Sequence, residues 1–220
     1  SAQLHDKTTL KKTFLQAEWY LALLGAPIVF GLAALAPEVI GLVYGERYVA
    51  AAPVLQCLLV GLWFIFMDFP VGSLLNASGM QHKKTATMGL AMVINFIANI
   101  IFVQMFGIVG AGYSAILTFV TLFCTGFYFA RQALPLTVAE WWGSVWGVTI
   151  AGLGMFVVVF LIKAPLTSLH PLAWILAIPL GALVFLALGW KLGGITPDHL
   201  RAIKHILRRK KYVEDTPSNA

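Results

Sequence analysis

Residues 85–130 read TATMGLAMVINFIANIIFVQMFGIVGAGYSAILTFVTLFCTGFYFA and contain no charged residue. A helix needs about 20 predominantly apolar residues to cross the hydrocarbon core of a bilayer. This stretch is therefore long enough for two membrane spans, and its glycine-rich part, residues 106–112, lies where a turn between them would fall. The sequence predicts two consecutive transmembrane helices joined by a tight turn.

Uncharged segments of similar length recur along the rest of the chain. Hydrophobic residues make up 60% of the sequence and charged residues 11%, with a mean hydropathy of +0.85. A soluble domain of this size would need more charged residues on its surface. We therefore predict an all-α membrane protein, a bundle of six transmembrane helices. The predicted helices cover residues 17–36, 54–75, 85–106, 109–130, 145–162 and 172–190.

The positions of Lys and Arg predict which side of the membrane each loop occupies. Cytoplasmic loops carry an excess of these residues. If the N-terminus is cytoplasmic, thirteen of the fifteen fall on the cytoplasmic side, and only Arg47 and Lys163 fall opposite. We therefore predict an N-in/C-in topology. Residues 1–16 form a cytoplasmic N-terminal segment, 17–190 the six-span lobe and 191–220 a cytoplasmic basic tail. The first apolar run is long enough to span the membrane, so no cleaved signal peptide is expected.

The basic tail is predicted to form an interfacial amphipathic helix. Thr196 and Pro197 are typical of a helix start, and an apolar stripe follows within residues 200–207. Such a helix lies in the headgroup region and is attracted to anionic lipids. We therefore expect the tail to bind membrane lipids and not nucleic acid. The predicted membrane-surface residues are Arg201, Lys204, Arg208, Arg209, Lys210 and Lys211.

Asp68 is the one acidic residue that the predicted spans place well inside the membrane. A charged side chain at the centre of a transmembrane helix costs about 2.5–3.5 kcal/mol, so it predicts a substrate or ion pathway. In the alternative interpretation, Pro70 breaks the helix, and Asp68 sits in a hydrated cytoplasmic mouth or caps a helix end. The sequence leaves both interpretations open.

Polar side chains also recur at helical spacing within the second, third and fourth spans. They could line a polar central cavity and hydrogen-bond a sugar, or they could join neighbouring helices by hydrogen bonds. Both interpretations remain open, and the residues are candidates for the pathway together with Asp68. They are Gln56, Asn95, Asn99, Ser114, Thr118, Thr121 and Thr125.

Motifs for catalysis or cofactor binding are not found in the sequence. It contains no phosphate-binding loop, no glycine-rich dinucleotide loop and no Ser/His/Asp constellation. His199 and His205 are six residues apart and do not share a helical face as a metal-binding pair would. We therefore expect no enzymatic activity, no catalytic residue, no metal and no cofactor.

A series of short motifs follows one order along residues 35–118. It begins with APEVI at 36–40, LVYGERY at 42–48 and AAPVL at 51–55. It continues with LLNASGMQ at 74–81, a basic pair at 83–84, and FGIVGAGYSA at 106–115. In this order and spacing the segment resembles the C-terminal half of the polysaccharide-biosynthesis flippases. These belong to the multidrug/oligosaccharidyl-lipid/polysaccharide exporter superfamily.

The resemblance implies a transporter that moves a lipid-linked oligosaccharide across a bacterial inner membrane by alternating access. It also implies that an N-terminal lobe or a partner chain completes the transporter, since family members have two lobes of helices. An exporter of drugs or amphiphiles in the same superfamily is an alternative, with Asp68 as the proton or cation site. A non-transporting scaffold that recruits glycan-assembly enzymes through the basic tail is another.

Overall fold

The computed structural model describes residues 2–169 and 173–194. Within these ranges the chain forms seven α-helices and two short 3₁₀ turns, Glu46–Ala51 and Ala173–Leu176. The predicted tail helix and its cations, from Arg201 to Lys211, lie outside the described residues. The α-helices are α1 (Ala2–Ala34), α2 (Ala36–Tyr44), α3 (Ala52–Ala77), α4 (Gln81–Phe106), α5 (Ile108–Ala133), α6 (Val138–Leu169) and α7 (Ala177–Lys191).

Six helical segments are long and apolar enough to cross a membrane, which confirms the predicted number of spans. α1, α4, α5 and α6 each provide one span. α3 and α7 are each lengthened by the 3₁₀ turn before them, giving Glu46–Ala77 and Ala173–Lys191. Gly107, at a φ of 62°, alone separates α4 from α5, so the predicted tight turn is also confirmed. The chain is a multi-pass membrane protein.

Two helices extend well beyond their predicted apolar segments. α1 begins at Ala2, although its span was predicted to start near residue 17, and α6 begins at Val138 and not near residue 145. Hydropathy detects only the part of a helix that lies in lipid, whereas the charged ends continue the same helix. Lys11 Nζ and Glu140 Oε1, 2.6 Å apart, join these two extensions. Thr137 and Glu140 cap the start of α6 reciprocally, with Thr137 N to Glu140 Oε2 at 3.0 Å and Glu140 N to Thr137 Oγ1 at 3.2 Å.

The helices pack side by side in an order that differs from their order in the chain. Neighbour by neighbour, the order is α4, α5, α3, α1, α6 and α7. α1 therefore lies at the middle of the row, between α3 and α6. Small residues allow the close approach: a methyl group at Gly61 of α3 would lie 2.5 Å from Phe119 of α5. Large apolar side chains cover much of the outer surface, as expected for contact with lipid tails.

At the break between α1 and α2, side chains from neighbouring helices donate hydrogen bonds to backbone carbonyls. Pro37 has no backbone N–H, so the carbonyl of Ala33 lacks its usual helical donor. Gln56 Nε2 of α3 donates to that carbonyl at 2.9 Å, and Lys163 Nζ of α6 donates to the carbonyl of Ala34 at 2.8 Å. Freed backbone groups inside a membrane need such partners. Gln56, a predicted pathway residue, thus stabilises the break between α1 and α2 through this hydrogen bond.

Candidate functional site

Asp68 and Lys84 form a buried ion pair between α3 and α4. The Lys84 ammonium donates a hydrogen bond to Asp68 Oδ2, and both residues are 9% exposed. α3 continues without a break through Pro70, so Asp68 is a mid-helix residue and does not cap a helix end. Lys84, which the topology argument counted as a loop charge, lies in the first turn of α4. The alternative in which Pro70 breaks the helix, or Asp68 caps a helix end, is therefore wrong.

Two glycines leave room for this ion pair. A methyl group at Gly72 would lie 3.2 Å from Cε of Lys84, so the absence of a side chain lets the lysine lie across α3. A methyl group at Gly126 of α5 would lie 3.1 Å from Asp68 Oδ1. These distances are tighter than ordinary van der Waals contact, so larger residues at either position would displace the pair.

Glu18 of α1 is a second buried carboxylate on the same side of the row. Its exposure is 0%, and neither carboxylate oxygen has a hydrogen-bond partner among the described residues. Asp68 Oδ1 and the indole nitrogen of Trp141 are also buried without a hydrogen bond. Glu18 interacts with Asp68 through space, and Trp141 lies close to its carboxylate without meeting hydrogen-bond geometry. We call Glu18, Asp68, Lys84 and Trp141 the Glu18 cluster.

Aromatic rings from α5 and α6 pack beside this cluster. The ring centroid of Trp141 lies 5.0 Å from that of Phe123 and 5.8 Å from that of Phe127. Phe123 and Phe127 are themselves buried in the core. Such surroundings have a low local dielectric, which strengthens interactions between charges and raises the cost of an unpaired one.

Hydropathy does not single out Glu18, because the apolar segment that predicts the first span begins at residue 17. A glutamate at the second position of a span looks like a polar end, whereas the continuous helix makes it an interior residue. One signal could have found it. Glu18 lies four residues after Phe14 and four before Ala22, both of which are buried, so it occupies the apolar stripe of α1.

The two predicted polar stripes meet at one hydrogen bond. Asn95 Nδ2 of α4 donates to Thr118 Oγ1 of α5 at 2.8 Å. All four hydroxyls of the α5 stripe, Thr118 included, donate to carbonyls about one turn earlier in α5: Ser114 to Ala111, Thr118 to Ser114, Thr121 to Leu117 and Thr125 to Thr121, at 2.6–2.8 Å. Asn99 lies one turn further along α4 and is half-buried. The observed contact between the two stripes is therefore one that joins helices.

Within the described part of the chain, a cavity and a groove border α1, and the residues that line them do not include the predicted pathway residues. One, of about 260 Å³, lies between α1, α6 and the end of α7 and is lined by Trp19, Ser144 and Gly194, among others. The other, of about 330 Å³, is an apolar groove between α1 and α3 that includes Phe69 and Pro70. The groove reaches the residues that follow Asp68 but does not include Asp68 itself.

Comparison with known proteins finds distant relatives among membrane proteins. No protein-family model matches the chain, and no solved structure matches it. The teichuronic acid biosynthesis protein TuaB of Bacillus subtilis is 34% identical over 76 residues, which is 34% of this chain and 16% of TuaB. An uncharacterized membrane protein in the cps region of Klebsiella pneumoniae is 31% identical over 98 residues, 44% of this chain and 19% of that protein.

A third relative covers more of the chain at lower identity. An uncharacterized membrane protein of Methanocaldococcus jannaschii is 24% identical over 125 residues, 57% of this chain and 24% of that protein. The chain thus spans less than a quarter of the length of each of these relatives. Of these three relatives, one is named for teichuronic acid biosynthesis, and the other two are uncharacterized membrane proteins, one of them in a cps region.

Proposed function

We propose that this chain is the C-terminal lobe of a flippase. Its substrate would be a lipid-linked oligosaccharide, carried from the cytoplasmic to the outer leaflet of a bacterial inner membrane. The observation that carries the proposal is the similarity to a teichuronic acid biosynthesis protein in a chain with six membrane-spanning helices. The buried charges support it, because ionisable residues inside a membrane usually mark substrate or ion pathways.

Alternating access needs a second lobe that moves against this one. The matched regions make up only 16–24% of the relatives' lengths, which supports the proposal that another lobe or partner chain completes the transporter. Lys84 is engaged with Asp68, and Lys163 is engaged with Glu38 and a backbone carbonyl. We therefore assign the cations that would hold a lipid pyrophosphate to the other lobe. The proposal includes no catalytic step by this chain.

The leaflet distribution of the lipid-linked oligosaccharide in cells tests this function. Deleting the gene should trap the glycolipid in the cytoplasmic leaflet, where a membrane-impermeant lectin applied to spheroplasts cannot reach it. A plasmid copy of the gene should restore lectin binding. Unchanged lectin binding in the deletion strain, with an unchanged total amount of glycolipid, would contradict flippase activity. A loss of total glycolipid would instead indicate a role in its synthesis.

An ion-coupled exporter of drugs or amphiphiles is a second candidate, favoured by the unpartnered Glu18 carboxylate within the membrane. In that case the deletion strain should accumulate cationic dyes while its glycolipid distribution stays normal. A scaffold role is tested by truncation after residue 201. A scaffold that recruits enzymes through its basic tail should lose function, whereas a flippase lobe should keep most of its transport.

A further inference from the structure

Among the polar side chains of the described helices, Glu18 is the one whose burial is least explained by its neighbours. It is fully enclosed by this chain, so another lobe or subunit could not reach it to supply a partner. Its two oxygens and Asp68 Oδ1 together leave three buried carboxylate oxygens without a hydrogen bond. An isolated ionised carboxylate in such a medium costs far more than any single packing contact returns. The structure therefore leaves a ligand to be assigned.

We propose that the Glu18 cluster is a proton-binding site in which Glu18 carries the proton. The charges of the cluster support this assignment. Two carboxylates share one buried cation, because Lys84 is already bonded to Asp68. With both acids ionised the cluster would carry one net negative charge in a dry environment. One proton on Glu18 makes the cluster neutral and leaves the Asp68–Lys84 pair intact.

A proton fits this site better than a metal cation does. The Lys84 ammonium and the Trp141 indole N–H are donors, and a metal ion beside them would meet positive charge. The described residues contain no group of three or more His, Cys, Asp or Glu side chains that could hold a metal. A proton needs only one oxygen and no coordination shell.

Among the described residues, the surrounding elements place no further titratable group against the cluster. α1 contributes Glu18, α3 contributes Asp68 and α4 contributes Lys84. α6 faces Glu18 with Trp141, and α5 faces Asp68 with Gly126. Proton binding at Glu18 therefore acts where α1 packs against α3, near the middle of the row. A proton can occupy Glu18 in this way whatever substrate the protein moves.

Infrared difference spectroscopy of the chain in lipid tests the proposal directly. At neutral pH the wild-type protein should show the carbonyl stretch of a protonated carboxylic acid, and this band should shift when only glutamate is labelled with ¹³C. Glu18→Gln should abolish the band. Glu140→Gln, which changes a glutamate in an exposed ion pair with Lys11, should leave it unchanged.

Three results would overturn the assignment. They are the absence of a carboxylic acid band in the wild type, a band that does not respond to ¹³C-glutamate, and a band that survives in a folded Glu18→Gln protein. Sodium ions added at constant pH provide a further test. If they abolish the band, a cation competes for the site and the proton assignment fails. The isotope experiment uses the wild-type protein and requires no transport, so a band that does not respond to the label overturns the assignment even if the variant does not fold.

Discussion

Replacing Lys84 with methionine should destabilise the protein by about 3–5 kcal/mol, the usual cost of removing one partner from a buried ion pair. Among substitutions that remove a charged side chain, the structure predicts a large loss of folding stability for Lys84→Met. Asp68 and Lys84 are each 9% exposed, and the second oxygen of Asp68 already lacks a partner. No described cation nearby is free to replace Lys84, and methionine keeps much of the apolar volume of the lysine stem. The loss should shrink as the pH falls, because a protonated Asp68 needs no cation.

The adjacent residue Lys83 provides a matched control. Its Nζ bonds Gln132 Oε1 at 2.6 Å in an exposed position, so Lys83→Met should cost only about 0–1 kcal/mol. The Asp68→Asn/Lys84→Met double variant should recover most of the stability, because it removes both charges together. Reversible unfolding in mixed micelles, followed by circular dichroism, measures all of these. A cost for Lys84→Met within about 1 kcal/mol of the control would refute the reasoning, as would a double variant as unstable as Lys84→Met.

Three further substitutions can be measured by the same unfolding assay. Gly126→Val should cost about 1–3 kcal/mol of stability, because the new side chain would meet the Asp68–Lys84 ion pair. Gly143 faces open space, so Gly143→Ala should cost nothing measurable. Equal costs for the two variants would contradict the close packing at Gly126. Thr118→Val should cost about 0.6 kcal/mol, the mean for a hydrogen bond between membrane helices, and a loss several times larger would show that Asn95 does more than join α4 to α5. Lys163→Met should cost about 1–3 kcal/mol or more, because it leaves the Ala34 carbonyl without its donor and Glu38 without its cation. An unchanged stability would show that neither contact of Lys163 stabilises the α1–α2 break.

The sequence predicted the membrane class and the number of spans because both depend only on local composition. The turn at Gly107 and the meeting of Asn95 with Thr118 were also within reach, since residues 85–130 form two consecutive antiparallel helices. The lateral order was not predictable in this way. Hydropathy does not tell which helix lies beside which, so nothing in the sequence placed α3 against α5 or α1 at the centre of the row.

The same limit explains why the candidate site was only half predicted. Asp68 was identifiable because a single acidic residue stood in an otherwise uncharged span. Its partner Lys84 was assigned to a loop, although its long side chain reaches back across Gly72 to the carboxylate. Glu18 was missed because the charged residues before it concealed that α1 continues through it as one helix. Both errors came from taking the ends of the apolar segments as the ends of the helices.

The proposed function requires that the buried charges serve transport and not only folding. It is tested most directly by the leaflet distribution of the lipid-linked oligosaccharide in cells that depend on the Asp68→Asn/Lys84→Met variant. We expect this variant to be present in the membrane at the wild-type level and to leave the glycolipid in the cytoplasmic leaflet, out of reach of the lectin. Lectin binding equal to that of the wild type would contradict the claim and would show that the Asp68–Lys84 pair has a structural role alone.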